Sequence, residues 1–273
     1  MFVTIITDCI DANAFGRQMT RAASLFGFPP VPVAINPEFE LPSDIEASGH
    51  LIDMIDASRG QKGIILVNKA PRSGNAKKWP NGTPFGYFWY KETLIVSSID
   101  GFALSLIKKF DLVDTINVFD IPTVSEFVKT EGLLDEYDAN YLVNTQFRSF
   151  EFLPRVAKWV YDKHSIPTTE LNISEILDCP DTVFFADNFG NLKTTILPEQ
   201  INFENGKIIS FENYGEITCY NRLKDLPNNT LGLIIGSSGL KERRFLEIMY
   251  QGGSAKSQLK INIGDSLKLQ TNN

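Results

Sequence analysis

The stretch TVFFADNFGNLKTTIL, residues 182–197, decides how the second half of the chain folds. Two runs rich in β-branched and aromatic residues flank a short polar segment, and Gly190 supplies the backbone freedom that a tight turn needs. The stretch therefore reads as strand, turn, strand. Asp187 and Asn191 then have two readings. They satisfy backbone groups of the turn itself, or they line a ligand pocket together with Phe189.

Downstream, KIISF, EITCY, LGLIIG, FLEIMY and DSLKLQ are further short strands separated by turn residues, with almost no helix between them. That is the pattern of a small β-barrel or sandwich. Upstream the character is different. FVTIIT, VPVAI, GIILVN and TINVF read as strands, and FGYFWYKETLIVSS as two more around a Lys91-Glu92 turn. Helical stretches alternate with them: AFGRQMTRAASLF, then SDIEASGHLIDMIDASRG with Ser43 and Glu46 in capping-box spacing and Gly60 at its end. GFALSLIKKF, TVSEFVKT capped at Thr123, and FEFLPRVAKWVYDKH interrupted by Pro154 complete the helices. Strands spaced by helices predict an α/β fold with a mostly parallel sheet flanked by helices over residues 1–166. A C-terminal β-barrel domain is predicted over residues 172–273.

At 273 residues the chain can bury a sizeable core, and its 43% hydrophobic and 22% charged content is that of a globular protein. A net charge of −7 carries no electrostatic footprint for nucleic acid, and no basic run marks a membrane surface. The apolar run near the N-terminus is followed directly by an acid and is too short for a signal peptide or a spanning helix. Cys9, Cys179 and Cys219 show neither metal-ligand spacing nor an even-numbered framework, so a reducing, cytoplasmic location is expected.

Ligands of an open parallel sheet bind beyond the carboxyl ends of its strands. TIITDCIDAN places Asp8 and Asp11 there, as a helix cap, as acceptors for a ribose diol, or as part of a magnesium site that two acids alone would leave short of oxygen ligands. NKAPRSGNAKKWPNGTPFG is a long polar loop after the third strand, holding Arg72, Ser73, Lys77, Lys78 and Trp79; it matches neither a P-loop nor a dinucleotide fingerprint. GSSG at 236–239 and GGSA at 252–255 are either hairpin turns or places where a ligand can approach the backbone.

In chain order these pieces resemble the S-adenosylmethionine hydroxide adenosyltransferases, which share a fold with fluorinating and chlorinating enzymes acting on the same substrate. The carrying motifs are Thr7-Asp8, PSDIEA at 42–47, IVSSIDGFALSLI at 95–107, DNFGNLKTTI at 187–196, GSSG, and GGSAKSQLKINIGDSLKL at 252–269. The resemblance implies a homotrimer with a small-molecule ligand at subunit interfaces, S-adenosylmethionine being the substrate or ligand and no cofactor being required. It implies that Phe189 stacks on adenine, Asn191 bonds its edge, Asp187 holds the methionine ammonium and Asp8 binds the ribose hydroxyls. It further implies that Ser237 and Ser238 contact the methionine carboxylate, Tyr220 covers the base and Gly252 reads adenine through its backbone.

The chain departs from the hydrolytic members of the family. Ala70 stands where their DPGVG loop has its aspartate, the arginine position falls near Lys77 or Lys78, and Arg148 takes the place of their histidine. Neither His50 nor His164 replaces it. A guanidinium, always protonated, does not act as a base for water. Ser73 and Ser149 align with the hydroxyl residues that hold halide in the halogenating members. The expected chemistry is attack on C5′ of S-adenosylmethionine with release of methionine, the nucleophile being water or a small anion placed by Ser73, Ser149 and Arg148. The other expectation is a non-catalytic S-adenosylmethionine or adenosine sensor.

Overall fold

The computed structural model describes residues 1–36, 44–69 and 82–270. In the first half a seven-stranded sheet runs in the order β2-β1-β3-β5-β4-β6-β7. β1 (Phe2–Thr7), β2 (Val31–Ala34), β3 (Gly63–Asn68) and β5 (Thr93–Ser98) form its parallel half. β4 (Phe85–Tyr90), β6 (Thr115–Val118) and β7 (Thr169–Asn172) extend it with antiparallel pairs.

β1, β3 and β5 are mostly apolar and almost wholly buried, because both faces of the sheet are covered. Their residues alternate between two cores, as the two-residue period of a strand requires. Ile6, Ile65, Val67 and Ile95 pack with α2 (Ile45–Ser58) and α3 (Ser105–Lys109) on one face. Val3, Ile5, Ile64, Leu66, Leu94 and Val96 pack on the other with α1 (Ala12–Phe26), α4 (Ile121–Thr130) and α7 (Leu153–Tyr161).

Some helix ends differ from those expected. Asp120, not Thr123, caps α4: its carboxylate accepts the Thr123 N–H at 3.1 Å, and Pro122 sits in the first turn, where its missing donor costs nothing. Pro154 likewise does not interrupt a helix but opens α7, directly after the short α6 (Arg148–Glu151). The Glu46 carboxylate accepts the Asn36 N–H at 2.9 Å. Ser43 lies outside the described residues. α5 (Glu136–Asn144), capped by Asp135, was not expected. Among the described residues no helix is long and apolar enough to cross a membrane.

The second half is the expected β structure, built as a six-stranded sheet in the order β10-β11-β12-β13-β9-β8. The strands are β8 (Val183–Ala186), β9 (Leu192–Thr194), β10 (Ile208–Phe211), β11 (Gly215–Cys219), β12 (Leu231–Leu240) and β13 (Arg243–Tyr250). A short α8 (Ala255–Leu259) follows. The ladder does not close into a barrel among the described residues. DSLKLQ, expected as a strand, makes only two isolated bridges, Thr182 with Ser266 and Phe211 with Leu269. It touches both ends of the sheet within a few residues, too short a span to build a ladder with either.

This sheet packs on α2. Phe184, Leu240 and Phe245 join Leu51, Ile52 and Ile55 in one core. Gly49 on α2 makes the approach possible: a Cβ there would collide with the Phe184 ring.

Candidate functional site

The order of the first sheet reverses at β1, which has β2 on one side and β3 on the other, so the crevice beyond the carboxyl ends of β1 and β3 is the place where such sheets bind ligands. Asp8 and Lys69 occupy it. Thr7 is in register with Asn68, and the next residue on each strand carries the charge. Asp8 is 8% exposed and Lys69 2%. The Lys69 Nζ lies 3.4 Å from Asp8 Oδ2 and donates to the Asn36 carbonyl at 3.1 Å. Asp11, by contrast, is the helix cap: its carboxylate accepts the N–H groups of Asn13 and Ala14 at 3.1 and 3.0 Å. The two acids of TDCIDAN therefore do different work.

Beside this pair lies Asp44, 1% exposed, whose Oδ2 accepts the Phe102 N–H while Oδ1 has no partner among the described residues. Burial raises its pKa above the usual carboxylate range, against the Phe102 N–H and Lys69, which lower it; Asp100 adds to the rise.

The 187–191 turn is locked by its own side chains. Asp187 Oδ1 accepts the N–H groups of Phe189 and Asn191, both at 2.9 Å, and Oδ2 accepts the Asn191 amide at 2.9 Å. Gly190 has φ 80°, and a Cβ there would strike Ser254 of the GGSA segment. The first reading of Asp187 and Asn191, satisfaction of the turn, thus holds, and it does not exhaust them. A carboxylate has about four acceptor positions and three are used; the Asn191 backbone carbonyl accepts the Asp187 N–H at 3.0 Å, and its side-chain Oδ1 accepts nothing among the described residues. Phe189 is left 71% exposed. Gly252, at φ 91°, lies in the turn after β13. Tyr220 is half-buried against Leu226, Ile234 and Met249.

Ser237 and Ser238 occupy the irregularity of β12 between Ile235 and Gly239. The Ser237 N–H and hydroxyl reach Glu247 Oε1 at 2.9 and 3.3 Å. The Ser238 hydroxyl donates to Asp53 Oδ2 at 2.8 Å, and the Gly239 N–H to Asp53 Oδ1 at 2.9 Å. Lys193 Nζ donates to the Ser238 and Ser237 hydroxyl oxygens at 2.6 and 3.3 Å. Both serine protons therefore point at carboxylates of the chain, and Lys193 supplies the donors that face them. Burial raises the pKa of Asp53, opposed by the Gly239 N–H and the Ser238 hydroxyl.

Arg148 and Ser149 open α6. Arg148 is half-buried, its Nε has no partner among the described residues, and burial lowers its pKa. A Cβ on Gly82 would lie 2.8 Å from its Nη1, which sets the guanidinium beside Gly82. Ser149 is half-buried and makes no side-chain hydrogen bond among the described residues. Ser73, Ala70, Arg72, Lys77 and Lys78 lie outside the described residues.

The candidates form two groups. Asp8, Arg148 and Ser149 belong to the first sheet and its helices; Asp187, Phe189, Asn191, Tyr220, Ser237, Ser238 and Gly252 belong to the second sheet. Among the described residues no hydrogen bond, ion pair or ring contact joins Asp8, Arg148 or Ser149 to the second group. The sequence reading missed Lys69, Asp53, Lys193 and Glu247. A lysine separated by one residue from the apolar run GIILV, and another between the buried Leu192 and Thr194, were the available signals for two of them.

Residues 181–268 match the family model for the SAM hydroxide adenosyltransferase C-terminal domain. The resemblance drawn from DNFGN, GSSG and GGSAKSQL thus holds where those motifs lie. Two solved structures share the fold along nearly the whole length. One is an uncharacterized conserved protein from Thermotoga maritima, 15% identical, with a TM-score of 0.68 over 98% of this chain and 100% of that one. The other is a conserved hypothetical protein from Thermus thermophilus, 14% identical, with a TM-score of 0.58 over 98% and 99%. No curated protein sequence matches the chain.

Proposed function

We propose that the chain binds S-adenosylmethionine and catalyses displacement of methionine from its C5′ carbon. One observation carries this reading: within the matched domain, the Asp187–Asn191 turn is rigid in its hydrogen bonds yet presents an exposed aromatic face and unused acceptors. Such a turn is a preformed platform for a flat, polar-edged base. In this reading Phe189 stacks on adenine, with Tyr220 covering it and Asn191 and the Gly252 backbone bonding its edge. The remaining Asp187 acceptor takes the amino group, Asp8 takes the ribose hydroxyls, and Lys193 with Ser237 and Ser238 faces the carboxylate.

In this reading a neighbouring copy of the chain completes the site, as in a homotrimer. The sulfonium is already a good leaving group, so catalysis reduces to aligning a nucleophile and removing its water. A lone pair of the nucleophile forms the new bond to C5′ while the C5′–S bond breaks, and methionine leaves with that electron pair on a neutral sulfur. Water must also lose a proton; a halide need not. Arg148 attracts an anion and accepts no proton, so it suits the second better. Ser149 and Ser73 would complete that subsite.

The test is incubation of the purified protein with S-adenosylmethionine in buffers with and without chloride or bromide, followed by chromatography. Methionine release with adenosine or a 5′-halogenated nucleoside supports the reading. Tight binding with no methionine release under any of these conditions would leave a binding protein, and no binding would remove the ligand altogether.

A further inference from the structure

We infer that Lys69 is a positioning residue, its buried ammonium orienting the Asp8 carboxylate toward a vicinal diol. This rests on the reading that Asp8 receives the ribose of the ligand, and it concerns a residue that none of the resemblance's motifs includes.

Lysine is rarely buried to this degree unless its charge is paired. Here both ends of the residue are held. Its backbone N–H donates to Ser98 Oγ at 3.4 Å, and its carbonyl accepts the Ser98 hydroxyl, which fixes the end of β3 against β5. Its Nζ reaches the Asn36 carbonyl beyond β2 and Asp8 Oδ2 beyond β1. The ammonium therefore ties together the ends of the strands that enclose the crevice. Asp44 and Asp100, also buried, lie in the same cluster: the Lys69 charge favours ionisation of Asp44 and the Asp100 charge opposes it.

The effect on Asp8 follows from its geometry. One carboxylate oxygen faces the ammonium, and Cys9 Sγ lies 3.8 Å from the other. A carboxylate with about four acceptor positions keeps room for two hydroxyl donors after these contacts. Gripping a diol through both donors needs one side-chain rotamer, and an unpaired aspartate would sample several. Lys69 selects one without itself touching the ligand. Its long, flexible stem would not hold this position in water; the burial and the two acceptors hold it.

The experiment titrates the full chain calorimetrically with adenosine and with 2′-deoxyadenosine, which lacks one hydroxyl of the diol. Wild type is expected to prefer adenosine by about tenfold or more, the scale of a hydrogen bond to a charged group. Lys69→Met should bring that ratio close to one, and in an Asp8→Asn background it should change the ratio no further. Lys69→Arg keeps the charge but moves the donors, so it should lower the ratio and provides the reading if Lys69→Met fails to fold. A merely structural lysine would weaken both ligands alike. A wild-type ratio retained in both Lys69 variants overturns the inference. Wild-type binding of both nucleosides without preference overturns it while leaving the S-adenosylmethionine reading in place. Binding of neither nucleoside nor S-adenosylmethionine overturns both.

Discussion

The hydroxyl of Ser238 donates to Asp53 Oδ2 at 2.8 Å, joining β12 of the second sheet to α2 of the first across 185 residues of sequence. Gly239 adds its N–H to the same carboxylate, and Arg244 bonds Asp56 one turn further along α2 at 2.9 Å. The two sheets are thus held by polar anchors at the rim of the apolar contact between α2 and Phe184, Leu240 and Phe245. Asp53→Ala would leave the Gly239 N–H and the Ser238 hydroxyl without this acceptor. The expected cost is about 1–3 kcal/mol, the penalty of orphaning buried polar groups, read as a lower urea midpoint.

Gly49→Ala addresses the apolar side of the same contact. The added methyl group collides with the Phe184 ring, and a helix packed against a sheet has little room to retreat. A loss of about 1–3 kcal/mol is expected, although alanine is the better helix former. Gly49→Ala combined with Phe184→Leu should be less destabilised than the sum of the two single variants, which urea unfolding of all four proteins measures.

Asp44 predicts a pH dependence. Its folded pKa is raised, so the folded state holds the proton more tightly than the unfolded state, in which the group titrates near its ordinary value of 3.8. Its contribution is therefore fully present below that value and is lost as pH rises through the folded pKa. Asp44→Asn keeps an acceptor for the Phe102 N–H and removes the charge. The stability of the variant relative to wild type should rise with pH from about 4 and level off once the folded group has ionised, in denaturant titrations across that range. A flat difference would show that the buried carboxyl does not titrate as its surroundings require.

Much of the fold was legible in the sequence. β1, β3 and β5 stand out because strands covered on both faces have no polar alternation to confuse them, and the 187–191 turn stands out because Gly190 has one plain use. What was not legible depends on partners distant in sequence. Asp8 and Asp11 look alike, and only the crossover that brings Lys69 beside β1 separates a buried ion-paired acid from an exposed cap. The partners of Ser237 and Ser238 were not legible because nothing local to GSSG reveals Asp53 or Glu247. Barrel closure failed as an expectation for a related reason: alternation announces strands but not whether the last one pairs along its length, and DSLKLQ makes only isolated bridges. Pro154 was read as a break, although proline is equally at home in the first turn of a helix.

Phe189 separates binding from stability. Its ring is solvent-exposed, so Phe189→Ala should change unfolding free energy by no more than about 0.5 kcal/mol. If the ring stacks on adenine, the same variant should lose about 1–3 kcal/mol of affinity for S-adenosylmethionine, the usual scale for an aromatic beneath a base. Unchanged affinity in a fully folded variant would remove this platform from the site.

The most direct test of the account is calorimetric titration of the purified chain with S-adenosylmethionine, with chromatography of the same sample for methionine and the nucleoside product. The account predicts saturable binding that Asp187→Ala and Phe189→Ala weaken, accompanied by methionine release. Saturable binding without release, with or without halide, would contradict the proposed chemistry. An absence of heat at any concentration would contradict the site itself.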